Sequence, residues 1–173
     1  MTTAFVGVGS NVEPEANIPA AQRRLARRVR LTGVSTFYRT PPLGAPDTPP
    51  FVNGVWRVET ELGPRALKGE VLRPIEEALG RRRTADRCAP RPIDLDVLVH
   101  GGAVLDEEGL RVPDPEVRTR PFVAFPLWEL APDLVLPDDG RRLAEIVAGL
   151  SFEGMEPLGE LTRLLRVEVE HGS

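Results

Sequence analysis

Apolar positions in the N-terminal part of the chain change from the period of a strand to the period of a helix. The apolar run at residues 4–8 predicts a short buried strand, which a Gly-Ser-Asn turn ends. Apolar residues then recur at steps of three and four, as one face of a helix requires. These positions are Ile18, Ala21, Leu25 and Val29.

Two further strands are predicted at residues 34–38 and 51–60. The prolines between them favour a long loop of restricted shape, because proline cannot donate to a sheet ladder. Within 51–60, the two-residue period places Phe51 and Asn53 on one face. An aromatic ring beside an amide suits a flat heterocycle, although a phenylalanine near a strand end is also common in a core.

A second helix is predicted to begin near Pro64 and to end at Gly80, since glycine commonly follows the last helical residue. Its apolar positions are Leu67, Val71, Ile75 and Ala78. Pro74 lies inside this helix and lacks an amide hydrogen. It is therefore expected to kink or interrupt the helix one turn earlier.

Residues 93–99 show strict alternation at their start. Ile93, Leu95 and Val97 are predicted to face one side of a strand, which leaves Asp94 and Asp96 together on the other side. This pair of carboxylates is the sharpest feature of the sequence.

The C-terminal part has weaker periodicity. Residues 103–105 and 110–112 are possible arms of a hairpin, and residues 122–130 are predicted to be helical in part. A last amphipathic helix is marked by Leu143, Ile146, Val147 and Leu150. Residues 151–173 are expected to form an appended strand or helix.

The predicted order strand, helix, strand, strand, helix, strand over residues 4–99 is that of a ferredoxin-like α+β sandwich, a mainly antiparallel sheet with helices packed on it. The chain has 173 residues, of which 41% are hydrophobic, so a single well-cored domain is expected. Residues 1–150 are predicted to form the main unit, with 151–173 an extension packed on it.

Composition excludes several classes of protein. A net charge of -4 argues against a nucleic-acid partner. No long apolar run or signal peptide is apparent, so a cytoplasmic protein without membrane contact is expected. A single cysteine, Cys88, beside two histidines cannot supply a zinc cluster or an internal disulfide, so any metal is expected to have oxygen ligands.

Arginines are concentrated between residues 81 and 91. The cluster consists of Arg81, Arg82, Arg83, Arg87 and Arg91. The guanidinium group suits bidentate contact with phosphate oxygens. The alternative for the cluster by itself is a solvated, charged loop.

Asp94 and Asp96 are candidate ligands of Mg²⁺, which takes one or two carboxylates and fills its other positions with water and substrate phosphate. By themselves they are equally consistent with exposed residues at a sheet edge. The neighbouring arginines favour the metal, because a polyphosphate needs a cation on some oxygens and guanidinium groups on others.

Other chemistries find little support. The chain has no G-x-x-x-x-G-K-[ST] loop, and residues 7–12 lack the last glycine of the dinucleotide fingerprint. Neither histidine is visibly paired with a nucleophile. A ferredoxin-like RNA-binding module is disfavoured because its aromatic-rich strands are missing.

In combination, these segments resemble the 6-hydroxymethyl-7,8-dihydropterin pyrophosphokinase family from residue 4 to about residue 150. The resemblance is strongest at Pro-Arg-Pro-Ile-Asp-Leu-Asp, residues 90–96. The other matching segments are residues 7–11, 37–44, 51–53, 75–76, 80–83, 87–96, 112–115 and 120–122.

The resemblance implies transfer of pyrophosphate from ATP to the hydroxymethyl oxygen of the pterin, with release of AMP. Two Mg²⁺ ions would bridge Asp94 and Asp96 to the triphosphate. Arg83, Arg91 and Asp96 would be the catalytic residues, although metal-bound oxygen could make a dedicated base unnecessary. The residues that would hold the nucleotide are Glu76, Arg83, Arg87, Arg91 and Arg120.

For the second substrate, the resemblance implies that the pterin stacks between Phe51 and Phe122. Its polar edge would be recognised by Asn53 and by the backbone around Thr40, Pro41 and Leu43. Stacking and a few placed hydrogen bonds are what a flat ring with a polar rim requires.

The sequence also departs from the family pattern. Cys88 and Ala89 replace the usual tryptophan and glycine of the catalytic loop, Asp114 replaces a histidine, and Phe51 replaces a tyrosine. The expected consequence is slower or differently gated catalysis. The alternative is an impaired family member that binds nucleotide or pterin without efficient turnover. A monomer or weak homodimer is expected.

Overall fold

The computed structural model describes residues 1–41, 49–80 and 90–171. A six-stranded sheet has the strand order β5-β1-β4-β3-β8, and β2 also pairs with β4. Its strands are β1 (Thr2–Ser10), β2 (Arg30–Val34), β3 (Tyr38–Thr40), β4 (Phe51–Thr60), β5 (Asp94–His100) and β8 (Glu156–Pro157). A separate hairpin contains β6 (Leu105–Glu107) and β7 (Leu110–Val112). All of these pairings are antiparallel.

Helices follow the strands in the expected order. They are α1 (Pro14–Ala26), α2 (Pro64–Ala66), a π-helical segment (Leu67–Leu72), α3 (Arg73–Ala78), α4 (Glu116–Thr119), α5 (Pro121–Leu130), α6 (Leu143–Ala148) and α7 (Gly159–His171). The predicted α+β class with a mainly antiparallel sheet is confirmed. Within the described residues, no helix combines the length and apolar character needed to cross a membrane.

The two faces of the sheet carry different cores. On one face, Val6, Trp56 and Leu95 pack against α1, the helices around the π-helical segment, and α7. On the other, Phe5, Val55 and Leu98 pack against α4, α5 and α6. The second group covers only one end of its face, and the uncovered end carries glycines of β1 beside polar residues of β4 and β5.

The single strand predicted at residues 34–38 is wrong, because the structure has two strands, β2 and β3, with a break between them. The break lets Phe37 turn its fully buried ring under Gly54, where a Cβ would lie 2.5 Å from the ring. The Phe37 amide then donates to Thr162 Oγ1 (2.9 Å) in place of a strand partner. Packing of one aromatic ring therefore interrupts the ladder.

The second predicted helix is confirmed from Pro64 onward, with the interruption expected from Pro74. The turn before this proline is a π-helical segment, and Gly80 follows the helix with φ of +91°. Ala78, predicted to lie on the apolar face of this helix, is exposed at the last position of α3.

Smaller differences concern element ends. Val29 is buried as predicted but lies beyond the end of α1. The first hairpin arm lies at residues 105–107 and not at 103–105, whereas the second arm is at 110–112 as predicted. Turn residues at 108 and 109 set this register, with Gly109 at φ of +78°.

Residues beyond 150 form β8 and α7. Strand β8 extends the sheet beyond β3, and Leu161 and Leu165 of α7 lie in the same apolar core as Val6 and Trp56. Gln22 of α1 fixes the helix by donating to the Leu165 carbonyl (2.8 Å).

Candidate active site

A cavity of about 770 Å³ opens at the uncovered end of the sheet. Strands β1, β4 and β5 form its floor, and the N-terminal parts of α4 and α5 form one wall. Its lining includes five acidic, basic or amide side chains and two aromatic rings that the sequence singled out. These are Asn53, Arg91, Asp94, Asp96 and Arg120, with Phe51 and Phe122.

Glycines at alternate positions of β1 make the floor of the cavity. Gly9 pairs with Asn53 on one side and with Asp94 on the other, and Gly7 pairs with Asp96. A Cβ at Gly9 would lie 2.9 Å from Asn53 Oδ1. Glycine therefore leaves room for the Asn53 side chain as it lies here, and an open trough remains between the amide and the carboxylates.

Asp94 and Asp96 are half-buried and face the cavity, as the alternation predicts. Burial, and then the charge of Asp94, raise the pKa of Asp96 to about 8. Asp114 and Glu76 add to this shift, and Lys68 opposes it. Carboxylates held this close repel one another, so a divalent cation would relieve an existing electrostatic strain.

The pair fits Mg²⁺ through the chemistry of its donors. Within the described part of the chain, no group of three or more His, Cys, Asp or Glu side chains is arranged to hold a metal ion. Two carboxylates with open space in front of them are nevertheless a usual Mg²⁺ arrangement when substrate phosphate and water complete the coordination.

Arg91 is held in place by the turn that ends β1. The Asn11 side-chain oxygen accepts the Arg91 backbone amide hydrogen (2.7 Å), and the Asn11 backbone amide donates to the Arg91 carbonyl (3.0 Å). The Arg91 guanidinium then lies 3.1 Å from Asp94 Oδ2. This clamp places a cation at the edge of the carboxylate pair.

The opposite end of the cavity combines aromatic rings with an oriented amide. Asn53 Nδ2 donates to Thr40 Oγ1 (2.7 Å), and Thr40 Oγ1 in turn donates to the Phe51 carbonyl (3.4 Å). Because Nδ2 is engaged, Oδ1 of Asn53 is directed over Gly9. Phe122 is the second residue of α5, lies on the facing wall and is half-buried.

Further carboxylates lie beside the cavity on the segment before α5. Asp114 Oδ1 accepts the Glu116 amide (2.9 Å), and its own amide donates to the Leu98 carbonyl (2.8 Å). Burial raises the pKa of Asp114, and burial followed by the charge of Asp114 raises the pKa of Glu116. Glu116 lines the cavity, and the charges of Asp94, Arg91 and Arg120 act on its carboxylate.

Comparison with known proteins shows the family of this chain. The family model of 7,8-dihydro-6-hydroxymethylpterin-pyrophosphokinase (HPPK) matches residues 5–132. The chain belongs to the HPPK family. This confirms the resemblance, the enzyme class and the ATP-dependent pyrophosphoryl transfer predicted from the sequence.

Similar curated proteins carry the name 2-amino-4-hydroxy-6-hydroxymethyldihydropteridine pyrophosphokinase. The Pseudomonas aeruginosa protein is 45% identical over 157 residues, which cover 89% of this chain and 95% of the relative. The Methylorubrum extorquens protein is 43% identical over 159 residues, which cover 90% and 98%.

A solved structure with the same fold is Plasmodium falciparum HPPK-DHPS with pteroate. It has a TM-score of 0.64 at 10% identity, and the match covers 99% of this chain and 45% of that one. A second Plasmodium falciparum HPPK-DHPS structure, the triple mutant with STZ-DHP, has a TM-score of 0.62 at 12% identity, with coverage of 85% and 43%. This chain therefore spans less than half the length of these structures.

Of the HPPK residues predicted from the sequence, several lie together around the cavity. These are Thr40, Pro41, Phe51, Asn53, Arg91, Asp94, Asp96, Arg120 and Phe122. Leu43, Arg83 and Arg87 lie outside the described residues, as do Cys88 and Ala89.

Glu76 differs from the other predicted site residues. It is only 2% exposed, and its Oε2 accepts the Leu95 amide hydrogen (3.0 Å). It is absent from the cavity lining. Its described contact thus supports β5 at the carboxylate pair, and the contact with nucleotide remains a prediction.

Sequence reasoning missed two features of this HPPK site. The first is the floor made by Gly7 and Gly9, although glycines two residues apart in a strand already indicate close approach of another group. The second is the clamp by Asn11, which had only been assigned to a turn. No local pattern indicates a partner eighty residues away.

Proposed function

We infer that this chain transfers the terminal pyrophosphoryl group of ATP to the hydroxymethyl oxygen of 6-hydroxymethyl-7,8-dihydropterin, with release of AMP, as a step in folate synthesis. The observation that carries this proposal is the continuous glycine floor. It joins the paired carboxylates at Asp94 and Asp96 to the amide and aromatic rings at the other end of one cavity.

The pterin is proposed to occupy the end with Asn53, Phe51 and Phe122. Oδ1 of Asn53 is available to accept hydrogen bonds from the amino edge of the ring, because Nδ2 is already bonded to Thr40. The rings of Phe51 and Phe122 supply apolar faces for stacking. The backbone around Thr40, Pro41 and Leu43 is proposed to bind the other polar groups at the edge of the pterin ring.

The triphosphate is proposed to lie at the other end, between Arg91 and the carboxylates. Asp94 and Asp96 would hold Mg²⁺, two ions in this proposal, and when bound these would neutralise phosphate charge and orient the triphosphate. Arg91 contributes a guanidinium at the edge of the pair, held by Asn11. Arg120 lines the same cavity, and Arg83, Arg87 and Glu76 are proposed to complete nucleotide binding.

In the reaction, the pterin hydroxyl oxygen attacks the β-phosphorus of ATP. A new O–P bond forms while the bond between the β-phosphorus and the bridging oxygen to the α-phosphate breaks, and AMP departs with that oxygen. The hydroxyl proton passes to Asp96 or, where that carboxylate holds the cation, to solvent. Fixed positions of both substrates supply most of the rate enhancement, as in other phosphoryl transfers.

The remaining proposals concern the whole protein. The enzyme is proposed to be cytoplasmic and to be a monomer or weak homodimer. Residues 1–150 are proposed as the catalytic unit, with 151–173 packed on it. The alternative of a binding protein without turnover is motivated by Cys88 and Asp114, but the similar relatives named above are pyrophosphokinases.

The test is incubation with ATP, Mg²⁺ and the pterin alcohol, followed by chromatography. AMP formed in step with the pterin diphosphate, without inorganic phosphate, supports the transfer. Asp94→Asn and Asp96→Asn are expected to lower the rate by at least about a hundredfold, since charge stabilisation by a bound metal contributes several kcal/mol. Asp106→Asn, which changes an 82% exposed carboxylate, is the matched control. Near-normal rates in both site variants would refute the metal assignment.

A second measurement addresses the pterin end. Phe122→Ala is expected to weaken pterin binding roughly tenfold while ATP binding is kept, because a stacked ring contributes on the order of 1 kcal/mol beyond buried area. Trp128→Ala removes a 39% exposed ring from the same helix and serves as control. Calorimetric titration with each ligand measures both affinities.

A further inference from the structure

Residues 151–158 lie against the strand that carries Thr40, next to the proposed pterin end of the cavity. In this segment, which we call the C-terminal clasp, β8 pairs with β3 through Tyr38 opposite Pro157 and Arg39 opposite Glu156. The Leu158 amide donates to the Phe37 carbonyl (2.8 Å). The backbone of β3 is thus held by β4 on one edge and by the clasp on the other.

Phe152 of the clasp is the centre of an aromatic cluster. Its ring lies edge-to-face with Tyr38 at 5.3 Å between centroids and with Phe125 at 4.8 Å. These two partners belong to different walls of the site, since Tyr38 lies on β3 and Phe125 on α5. Phe152 itself is 42% exposed. Its ring therefore joins β3 and α5 while solvent still reaches it.

Each partner of Phe152 is a direct neighbour of a residue that is proposed to contact the pterin. Tyr38 is opposite Asn53 in the sheet and on the same strand face as Thr40, because side chains alternate along β3. Phe125 lies three residues after Phe122, and residues at this spacing are neighbours on a helix surface. Phe152 therefore connects the wall that orients the amide to the wall that carries the stacking ring.

The clasp also approaches the cavity directly. At Gly154, with φ of +84°, a Cβ would lie 3.4 Å from Pro41 Cγ. Pro41 itself lines the cavity. Glycine meets the need for positive φ at this position.

We propose that Phe152 is a positioning residue for the pterin site, and that its ring sets the separation between the β3 wall and the first turn of α5. This inference rests on the proposed pterin site. Edge-to-face pairs contribute energy beyond their buried area, and removing the ring would release both walls at once. The clasp contacts described above all fall on β3, on α5 and on Pro41, so we expect the effect on the pterin end of the cavity.

The experiment compares four variants of the full chain, namely Phe152→Ala, Phe152→Tyr, Leu164→Ala and Phe122→Ala. Leu164 is a 48% exposed apolar residue of α7 and controls for loss of a C-terminal apolar side chain. For each variant, KM is measured for the pterin alcohol at saturating ATP and for ATP at saturating pterin. Calorimetry measures affinity for the pterin alcohol in the presence of a nonhydrolysable ATP analogue.

For Phe152→Ala we expect roughly a three- to tenfold weaker affinity for the pterin, as loss of about one or two aromatic pairs predicts, and less than about a twofold change in KM for ATP. Phe152→Tyr keeps the ring and is expected to restore pterin affinity. Leu164→Ala is expected to leave both parameters unchanged. If Phe152→Ala melts below the assay temperature, Phe152→Leu takes its place, since it keeps bulk and loses the ring.

The outcomes separate this inference from the site on which it depends. Equal weakening of both substrates, or no change in pterin affinity, overturns the positioning role when Phe122→Ala still weakens pterin binding. No effect of Phe122→Ala overturns the pterin site itself. A selective loss of pterin affinity that Phe152→Tyr reverses supports the role, because a general loss of stability would not discriminate between substrates.

Discussion

Replacing Asp96 by asparagine tests whether repulsion between Asp94 and Asp96 destabilises the metal-free protein, a cost that a bound cation would relieve. In the metal-free protein, burial and the charge of Asp94 raise the pKa of Asp96 to about 8, from an ordinary value of 3.8 in the unfolded chain. Between these values the folded protein holds a proton that the unfolded chain has released. The free energy of unfolding must therefore fall as pH rises through this window.

The magnitude follows from the number of protons involved. One proton bound only in the folded state changes the free energy of unfolding by at most about 1.4 kcal/mol per pH unit. Water in the open cavity screens the Asp96 charge and narrows the pH window over which this slope applies, so we expect an average slope on the order of 1 kcal/mol per pH unit between pH 5 and pH 8. From pH 5 to pH 8 this group would then lower stability by about 3 kcal/mol.

The measurement is urea unfolding followed by circular dichroism from pH 5 to pH 8 in the presence of EDTA. Asp96→Asn has nothing to titrate at this position, so its stability should fall less with pH, and it should exceed wild-type stability most at pH 8. Asp133→Asn removes an exposed carboxylate after α5 and should follow the wild-type curve. If the free energy of unfolding depended on pH equally in wild type and Asp96→Asn, repulsion at Asp96 would not be destabilising the folded protein.

Magnesium provides the complementary measurement. A ligand that binds only the folded state at a hundred times its Kd raises the free energy of unfolding by about 2.7 kcal/mol. Mg²⁺ should stabilise the wild type more at pH 8 than at pH 5, because binding competes with the proton on Asp96. Asp96→Asn should gain less at either pH, and an equal gain would show that the ion binds elsewhere.

Three other substitutions test separate parts of the site. Gly9→Ala brings a methyl group to 2.9 Å from Asn53 Oδ1, so pterin affinity should fall at least about tenfold with little loss of fold, as titration of the pterin would show. Asn11→Ala removes the side-chain acceptor of the Arg91 backbone amide and should raise KM for ATP more than KM for the pterin, with Asn11→Asp as the variant that keeps the acceptor. Glu76→Ala leaves a buried amide of β5 unpaired and should cost about 1–3 kcal/mol of stability, measured by urea unfolding. An unchanged midpoint in the last case would show that water replaces the carboxylate.

Much of the site could be predicted from local pattern. The alternation around Asp94 and Asp96 was sufficient to place both carboxylates on one face, because the period of a strand is a property of its backbone alone. The same reasoning placed Phe51 and Asn53 together. Pro74 likewise predicted an irregular turn, because a missing amide hydrogen disrupts a helix wherever it occurs.

Other features depended on partners distant in the chain. The strand predicted at residues 34–38 breaks because Phe37 packs under Gly54, and neither residue indicates the other locally. Asn11 holds Arg91 across eighty positions, and the role of Phe152 depends on a strand pairing formed by the last part of the chain. Such contacts are set by the register between strands, which no single segment specifies.

By itself, therefore, the sequence determined the order of the elements, the faces of the strands, the arginine and aspartate chemistry and the family. Only the tertiary structure decided which of these faces meet. Gly9 became the floor between Asn53 and Asp94 because β1 lies between β4 and β5. The physical reason is that backbone periodicity and side-chain chemistry are local, whereas the shape of a cavity comes from packing between segments far apart in the chain.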